Sequence, residues 1–404
     1  MAALEKGTDN MLYKADKMCR VLVKSVYATA ALLAPSPTGA KQPSSQHTRF
    51  HSMEELSGKM GALSPSTHGS FSAPRSRAAC RLSQLSVRLS ACEDKICTME
   101  ENHTLVRQFI LVGFSHFPYL QIPLFFSFSF IYAAILLGNL LIVITISTDS
   151  HLHTPMYFFL SNISLLDILY PSVTVPKMLS DLISRTKGIS YHGCIAQIFF
   201  YIFFAVAECF LLSVMAIDRY VAICQPLHYH AIMNLEVCIR LAAAAWFSGG
   251  LYSLMHTVVT SQVIICRSHV INHFFCDVPQ LLLMSCSDTS VNMITIFIGV
   301  VLVGIGNFAV ILGSYACIIS TILKIVSRED RKKTFGTCSS HLMVVSLYYG
   351  ALISMYFRPL SSFSQPNIWM VSLIYTTGTP ILNPMIYSLR NKEVKGALRR
   401  MLQK

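Results

Sequence analysis

Residues 193–224 read GCIAQIFFYIFFAVAECFLLSVMAIDRYVAIC, and this stretch decides the fold. From Cys194 to Ile217 the one Asp, Glu, Lys or Arg is Glu208, and then Asp218 and Arg219 stand side by side. A bilayer takes about 20 apolar residues as a helix. The run therefore predicts a membrane span with an acid and a base at one end. Working outward, six more such runs follow the same logic: Ile122 to Ser147, Met156 to Ile183, Val237 to Val263, Val291 to Ile325, Thr334 to Phe357 and Asn367 to Leu389. The whole chain agrees, being 53% hydrophobic and 13% charged, where a soluble domain is about one quarter charged.

The expected fold class is an all-α membrane protein, a bundle of seven transmembrane helices. In lipid each segment must satisfy its own backbone hydrogen bonds, and a β-barrel would show short alternating segments instead. Lys and Arg favour the cytoplasmic side. With the N-terminus outside, that side collects Arg219, Arg240, Lys324 and the basic runs at 328–333 and 390–404. The outer side keeps Arg107, Lys177, Arg185, Lys187, Arg267 and Arg358. The expected topology is N-out and C-in. The net charge of +12 then reflects this asymmetry and attraction to anionic inner-leaflet lipid. No basic stripe with interleaved aromatics points to nucleic acid.

Residues 1–98 differ. Ser, Pro, Gly and Arg dominate stretches such as Ala73-Pro74-Arg75-Ser76-Arg77, and such composition buries too little apolar surface to order itself. Disorder is expected there. The apolar run Val21 to Ala34 is interrupted by Lys24 and too short to span. Met99-Glu100-Glu101-Asn102-His103-Thr104 reads as a natural start for the membrane module, which makes residues 1–98 an optional extension and 99–121 an outer tail. Asn102-His103-Thr104 is an N-glycosylation acceptor on the expected outer side. Asn162-Ile163-Ser164 also fits, but lies inside a helix.

The polar residues within the spans carry the chemistry. Charges at membrane depth are costly and mark function by default. Asp218 can hold Arg219 by a charge-assisted bond and release it to a partner; the simpler alternative is an Arg snorkelling to lipid phosphates. Asn139, Asp167, Glu208 and Asn383 lie in separate spans as either a switch or a packing network. Pro384 removes an N–H and frees a carbonyl in the seventh helix. Cys194, Cys266, Cys276 and Cys286 sit on the outer side, where three disulfide pairings are open. With His273 among them, a metal site is the alternative. No nucleophile–base–orienter set, phosphate loop or HExxH run is present, so an enzyme is not expected. No internal repeat suggests a transporter.

Taken in order, Gly138-Asn139, LHTPMYFFLSN at 152–162 with Asp167 beyond it, MAIDRYVAIC at 215–224, Pro226-Leu227-His228-Tyr229, Ser314-Tyr315, KTFGTCSSHL at 333–342 and PILNPMIYSLRN at 380–391 closely resemble the vertebrate odorant receptors, a branch of the rhodopsin-like G-protein-coupled receptors. The likeness covers about residues 99–404, with 122–389 as the receptor domain. It implies a plasma-membrane receptor for small volatile odorants that activates a stimulatory heterotrimeric G protein and raises cAMP. Asp218, Arg219, Tyr220, Tyr315 and Tyr387 would form the coupling switch. Asn139, Asp167, Glu208 and Asn383 would form a cluster that rearranges on activation and can hold Na⁺ at Asp167; no other cofactor is implied. The family pattern pairs Cys194 with Cys276 and Cys266 with Cys286, tying the second outer loop down as a lid. Three departures stand out: Ile217 where the family usually has Tyr, Thr334 and Gly336 for the commoner Ala and Ser, and the long leader.

Helical spacing sets Tyr201, Ile202, Ala205 and Val206 on one face of the third span. By analogy with the family these join Gly299, Val303, Tyr349, Ile353, Tyr356 and Thr376 in lining the ligand cavity. That set holds no acid or base, which predicts a neutral ligand such as an alcohol, ester or ketone rather than an amine. Residues 391–403 put Val394, Leu398, Met401 and Leu402 against Lys395, Arg399 and Arg400. This is the pattern of an amphipathic helix on the inner leaflet.

Overall fold

A computed structural model describes residues 107–403, apart from 116, 117, 267 and 357–371. The extension 1–98 and the acceptor Asn102 lie outside the described residues. Among these residues five helices are long and apolar enough to cross a membrane: α1 (Gln121–Thr148), α2 (Pro155–Ile183), α3 (Tyr191–Cys224), α4 (Leu235–Ser261) and α5 (Ser290–Leu323). Two more complete the seven-helix bundle, α6 (Arg328–Tyr356) and α7, a π-helical turn Ile374–Gly378 that runs on as Thr379–Arg390. The amphipathic α8 (Lys392–Leu402) follows. Helix starts are set locally. The side chain of Ser190 accepts from Gly193 N at 3.1 Å, Asn234 from Val237 N at 2.9 Å, and Asn391 from Glu393 N at 3.0 Å. Each satisfies a backbone donor that the first turn leaves unpaired.

The third helix is the hub, packed against α2, α4, α5 and α6. Many of its apolar side chains are buried, whereas Phe126, Phe130, Leu137 and Leu302 on α1 and α5 are exposed, as side chains solvated by lipid would be. The α3–α4 contact is close enough to demand glycine. A Cβ on Gly249 would lie 2.9 Å from Phe203 O and 3.0 Å from Ala207 N, and one turn on, Ser253 Oγ donates to Phe199 O at 2.5 Å. Backbone cannot yield as a side-chain tip can. Gly249→Val should cost about 1–3 kcal/mol by overpacking, read as a lowered melting midpoint of the purified protein. An unchanged midpoint would show that the helices separate freely.

At one end of the bundle a small sheet forms that the hydrophobic pattern did not foresee. Strand β1 (Gln108–Leu111) pairs antiparallel with β2 (Gly188–Ser190) and parallel with β3 (Val270–Ile271). Phe109, Leu111 and Ile271 are buried beneath it with Val278 and Leu281. Disulfides Cys194–Cys276 and Cys266–Cys286 bind the same loop, with Cα–Cα separations of 5.5 and 5.9 Å. At the opposite end α8 is docked by Tyr157, whose hydroxyl donates to Glu393 Oε2 at 2.6 Å, and by Arg400, whose Nε donates to Asp149 Oδ2 at 3.0 Å. That guanidinium holds the Asp149 carboxyl below the usual range.

Candidate functional site

Below the sheet, a cavity of about 120 Å³ opens between α3, α4, α5, α6 and α7. From the sequence-predicted set, Tyr201, Ile202, Ala205, Val206, Gly299 and Val303 line it. The π-helical turn Val300–Ile305 widens α5 at this level, so Val300 and Gly304 face the space as well. Such turns recur at functional sites.

On α6 and α7 the expected phase is one residue off. Tyr348 and Leu352 line the cavity where Tyr349 and Ile353 were expected, and Tyr375 where Thr376 was expected. The ring of Tyr349 packs on Phe308 at 4.8 Å and its hydroxyl meets Cys209 Sγ at 3.1 Å. Ile353 is 46% exposed on the outside of the bundle. Thr376 Oγ1 donates to Ser372 O at 2.9 Å within its own helix. The side chain of Tyr356 lies outside the described residues. A second correction concerns charge. Asp277 and His256 both line the cavity, so the expectation of a lining without acid or base fails, and the exclusion of amines drawn from it goes too.

The lid is fixed to the helices by polar contacts. His273 Nδ1 accepts from Phe275 N at 3.4 Å, and Nε2 meets Ser372 Oγ at 2.9 Å. A ring accepting at one nitrogen and donating at the other is neutral. Burial agrees, pushing His273 down to about 3. The four cysteines are spent in bridges. Gln197 adds a clasp, donating to Val173 O at 2.9 Å and accepting from Cys276 N at 2.8 Å.

Midway through the bundle, Asn383 Nδ2 donates to both Asp167 oxygens at 3.0 and 2.9 Å. Glu208 is buried and close enough to Asp167 to interact electrostatically, yet its Oε1 has no hydrogen-bond partner. Asn139 stands apart from this pair. Its Nδ2 donates at 3.0 Å to Pro380 O, the carbonyl that loses its intrahelical donor because Pro384 has no N–H. The helix consequently runs through Pro384. Asn139→Ala should leave that buried carbonyl unpaired at a cost of about 1–3 kcal/mol, a drop in melting midpoint that Pro384→Ala should largely reverse. No reversal would place the effect elsewhere.

At the far end of α3, Asp218 accepts from Arg219 Nε at 3.0 Å, with Nη2 closer still, and from Tyr229 Oη at 2.8 Å. Arg219 is 8% exposed. It is turned inward on the acid, against the reading of a side chain snorkelling to lipid. Burial, and then Asp218 beside it, push the Tyr229 phenol up. Tyr315 on α5 meets His341 Nδ1 on α6 at 2.8 Å, and His341 Nε2 meets Leu212 O on α3 at 3.2 Å. One imidazole thereby pins three helices. Tyr220 Oη accepts from Gln225 Nε2 at 3.4 Å. Tyr387 is buried with its hydroxyl unpartnered. Sequence reasoning missed Tyr229 and His341 as partners, although both lie in the quoted runs.

Residues 128–404 match a family model described as olfactory receptor. The chain is 47% identical over 302 residues to olfactory receptor 1G1 of Gorilla gorilla gorilla, covering 75% of this chain and 96% of that one. It is 49% identical over 310 residues to olfactory receptor 5B21 of Homo sapiens, covering 75% and 98%. To olfactory receptor 1 of Rattus norvegicus it is 47% identical over 305 residues, covering 76% and 97%.

Proposed function

Because the chain belongs to the olfactory receptor family, we propose that it binds small volatile odorants in the cavity under the lid and activates a stimulatory heterotrimeric G protein, raising cAMP. It does so as a multi-pass plasma-membrane protein, N-terminus outside and C-terminus in the cytoplasm, with the exposed basic face of α8 on anionic lipid. The observation that carries this reading is the arrangement along α3: Tyr201, Ile202, Ala205 and Val206 line the cavity, and Arg219 is locked on Asp218 at the other end. A ligand that favours one packing of α3, α5 and α6 shifts a pre-existing equilibrium. Freeing Tyr315 from His341 and Arg219 from Asp218 opens the cytoplasmic end to the G protein.

The test is an odorant panel on cells with a cAMP reporter, an epitope placed before Asn102 being read on intact cells for surface level and orientation. Agonist-dependent cAMP from surface receptor supports the reading. A chain at the surface that binds odorants without ever raising cAMP would sink it. Loss of a glycosidase-sensitive mobility shift in Asn102→Gln checks the acceptor.

Glu208 Oε1 and Asn383 Oδ1 are buried oxygens without hydrogen-bond partners. Together with Asp167 they fit a small hard cation, and Na⁺ held there by Asp167 and Glu208 would neutralise buried charge. Exchanging NaCl for choline chloride should then raise agonist potency, and Asp167→Asn should abolish that dependence. An equal sodium effect in the variant would exclude this site.

A further inference from the structure

Tyr201, His256 and Asp277 line the cavity in a wall that includes the apolar Ile202, Val206, Ile296 and Val300 and the further hydroxyls of Tyr252, Tyr348 and Tyr375. Tyr201 is 2% exposed with its ring 4.9 Å from that of Tyr170, and His256 is 4% exposed with no hydrogen-bond partner for its Nδ1. Asp277 is 6% exposed; its Oδ1 accepts from Val278 N at 2.9 Å, and it has no ion pair among the described residues. Asp277 is near enough to Tyr201 for the two to interact electrostatically. Buried polar groups of this kind ordinarily have partners. Their convergence on one cavity marks where a ligand's polar head belongs.

The chemistry of that head follows from what the three groups can do together. A carboxylate, a phenol oxygen and an imidazole nitrogen can each accept a hydrogen bond, and an ammonium group brings three donors and no acceptor. A hydroxyl brings one donor and leaves a carboxylate without a counter-charge. Burial with no cation beside it pushes the Asp277 carboxyl up to about 7, so a docked cation would offset the desolvation that this carboxylate otherwise bears alone. Size is limited as well. About 120 Å³ is near the roughly 150 Å³ of a cavity that admits benzene.

We propose that Asp277, Tyr201 and His256 are the specificity-determining residues of this cavity and select small primary amines, an ammonium head on an apolar body about the size of one six-membered ring. The signalling arm of this proposal rests on the receptor reading above; the binding arm does not.

The test uses the full-length purified protein and three matched probes, cyclohexylamine, cyclohexanol and methylcyclohexane. Thermal unfolding reads binding, and cAMP in cells reads signalling. Cyclohexylamine should raise the melting midpoint and act at a concentration at least about tenfold lower than cyclohexanol, the gain expected of a charge-assisted bond. Asp277→Asn keeps an oxygen for Val278 N and should remove about tenfold or more of the amine's potency, with a clearly smaller loss for cyclohexanol, whose hydroxyl brings no charge to the carboxylate. Tyr201→Phe, which deletes one hydroxyl, should cause a smaller loss of the same kind. The proposal is overturned if cyclohexanol or methylcyclohexane matches the amine, if Asp277→Asn shifts all probes equally, or if the amine does not bind. Amine binding that Asp277→Asn abolishes, with no cAMP from any probe, would uphold the anchor and overturn the coupling reading instead.

Discussion

Arg219→Ala is expected to abolish agonist-driven cAMP while the receptor still binds its odorant, and Asp218→Asn is expected to do the reverse, raising cAMP with no agonist present. The opposite signs follow from one geometry. Arg219 is buried and turned on Asp218, which also accepts from Tyr229. Removing the carboxylate charge gives up a charge-assisted contact worth about 1.5–3 kcal/mol, and so raises the fraction with Arg219 released by roughly tenfold or more. Removing the guanidinium deletes the group to be released. It also leaves Asp218 buried with Tyr229 alone, so surface level and ligand-induced stabilisation must be measured beside cAMP. Should Asp218→Asn lower basal cAMP at normal surface level, the pair would be a packing contact and not a latch.

Breaking the Cys194–Cys276 bridge should be the most damaging single lesion at the lid. Both cysteines are fully buried, and the bridge closes a separation of 82 residues. Chain entropy assigns about 4.5 kcal/mol to a loop of that length and about 3 kcal/mol to one near 20 residues, the separation of Cys266 and Cys286. Loss of Cys276 additionally frees the segment that carries Asp277 into the cavity and the backbone N–H held by Gln197. Cys194→Ser should accordingly lower surface level and melting midpoint further than Cys286→Ser. The opposite ranking would mean that the shorter bridge, and not the tie to α3, holds the lid.

The helices were legible because lipid demands long apolar runs, and the third span announced itself between Cys194 and Ile217. Among the described residues five spans meet that criterion, and α6 and α7 complete the bundle. The facing of α6 and α7 was not legible. In water an apolar face points inward, but lipid tails are as apolar as the bundle interior, so nothing in the adjacent pair Tyr348-Tyr349 says which ring turns to the cavity. The π-helical turn at Ile374–Gly378 breaks the regular phase at Tyr375 and Thr376. Asp277 was not legible for a different reason: apolar runs report on spans, and Asp277 sits in a loop. One signal was available, since it follows Cys276, which the family's bridge draws to the start of α3. His256 also carried a signal, as an ionisable side chain inside a span. The disulfide pairing came from the resemblance, and the structure contains the same two bridges.

The little sheet over the cavity changes what the segment before the first span is. With β1 lying between β2 and β3, that segment is the middle stave of a roof rather than a tether hanging outside it. Pulling residues 108–111 out would strip both ladders at once and uncover Phe109 and Leu111. The first and second loops at this end have no direct pairing in the sheet to fall back on, so a strand of four residues is the keystone that lets two separate loops close one vault.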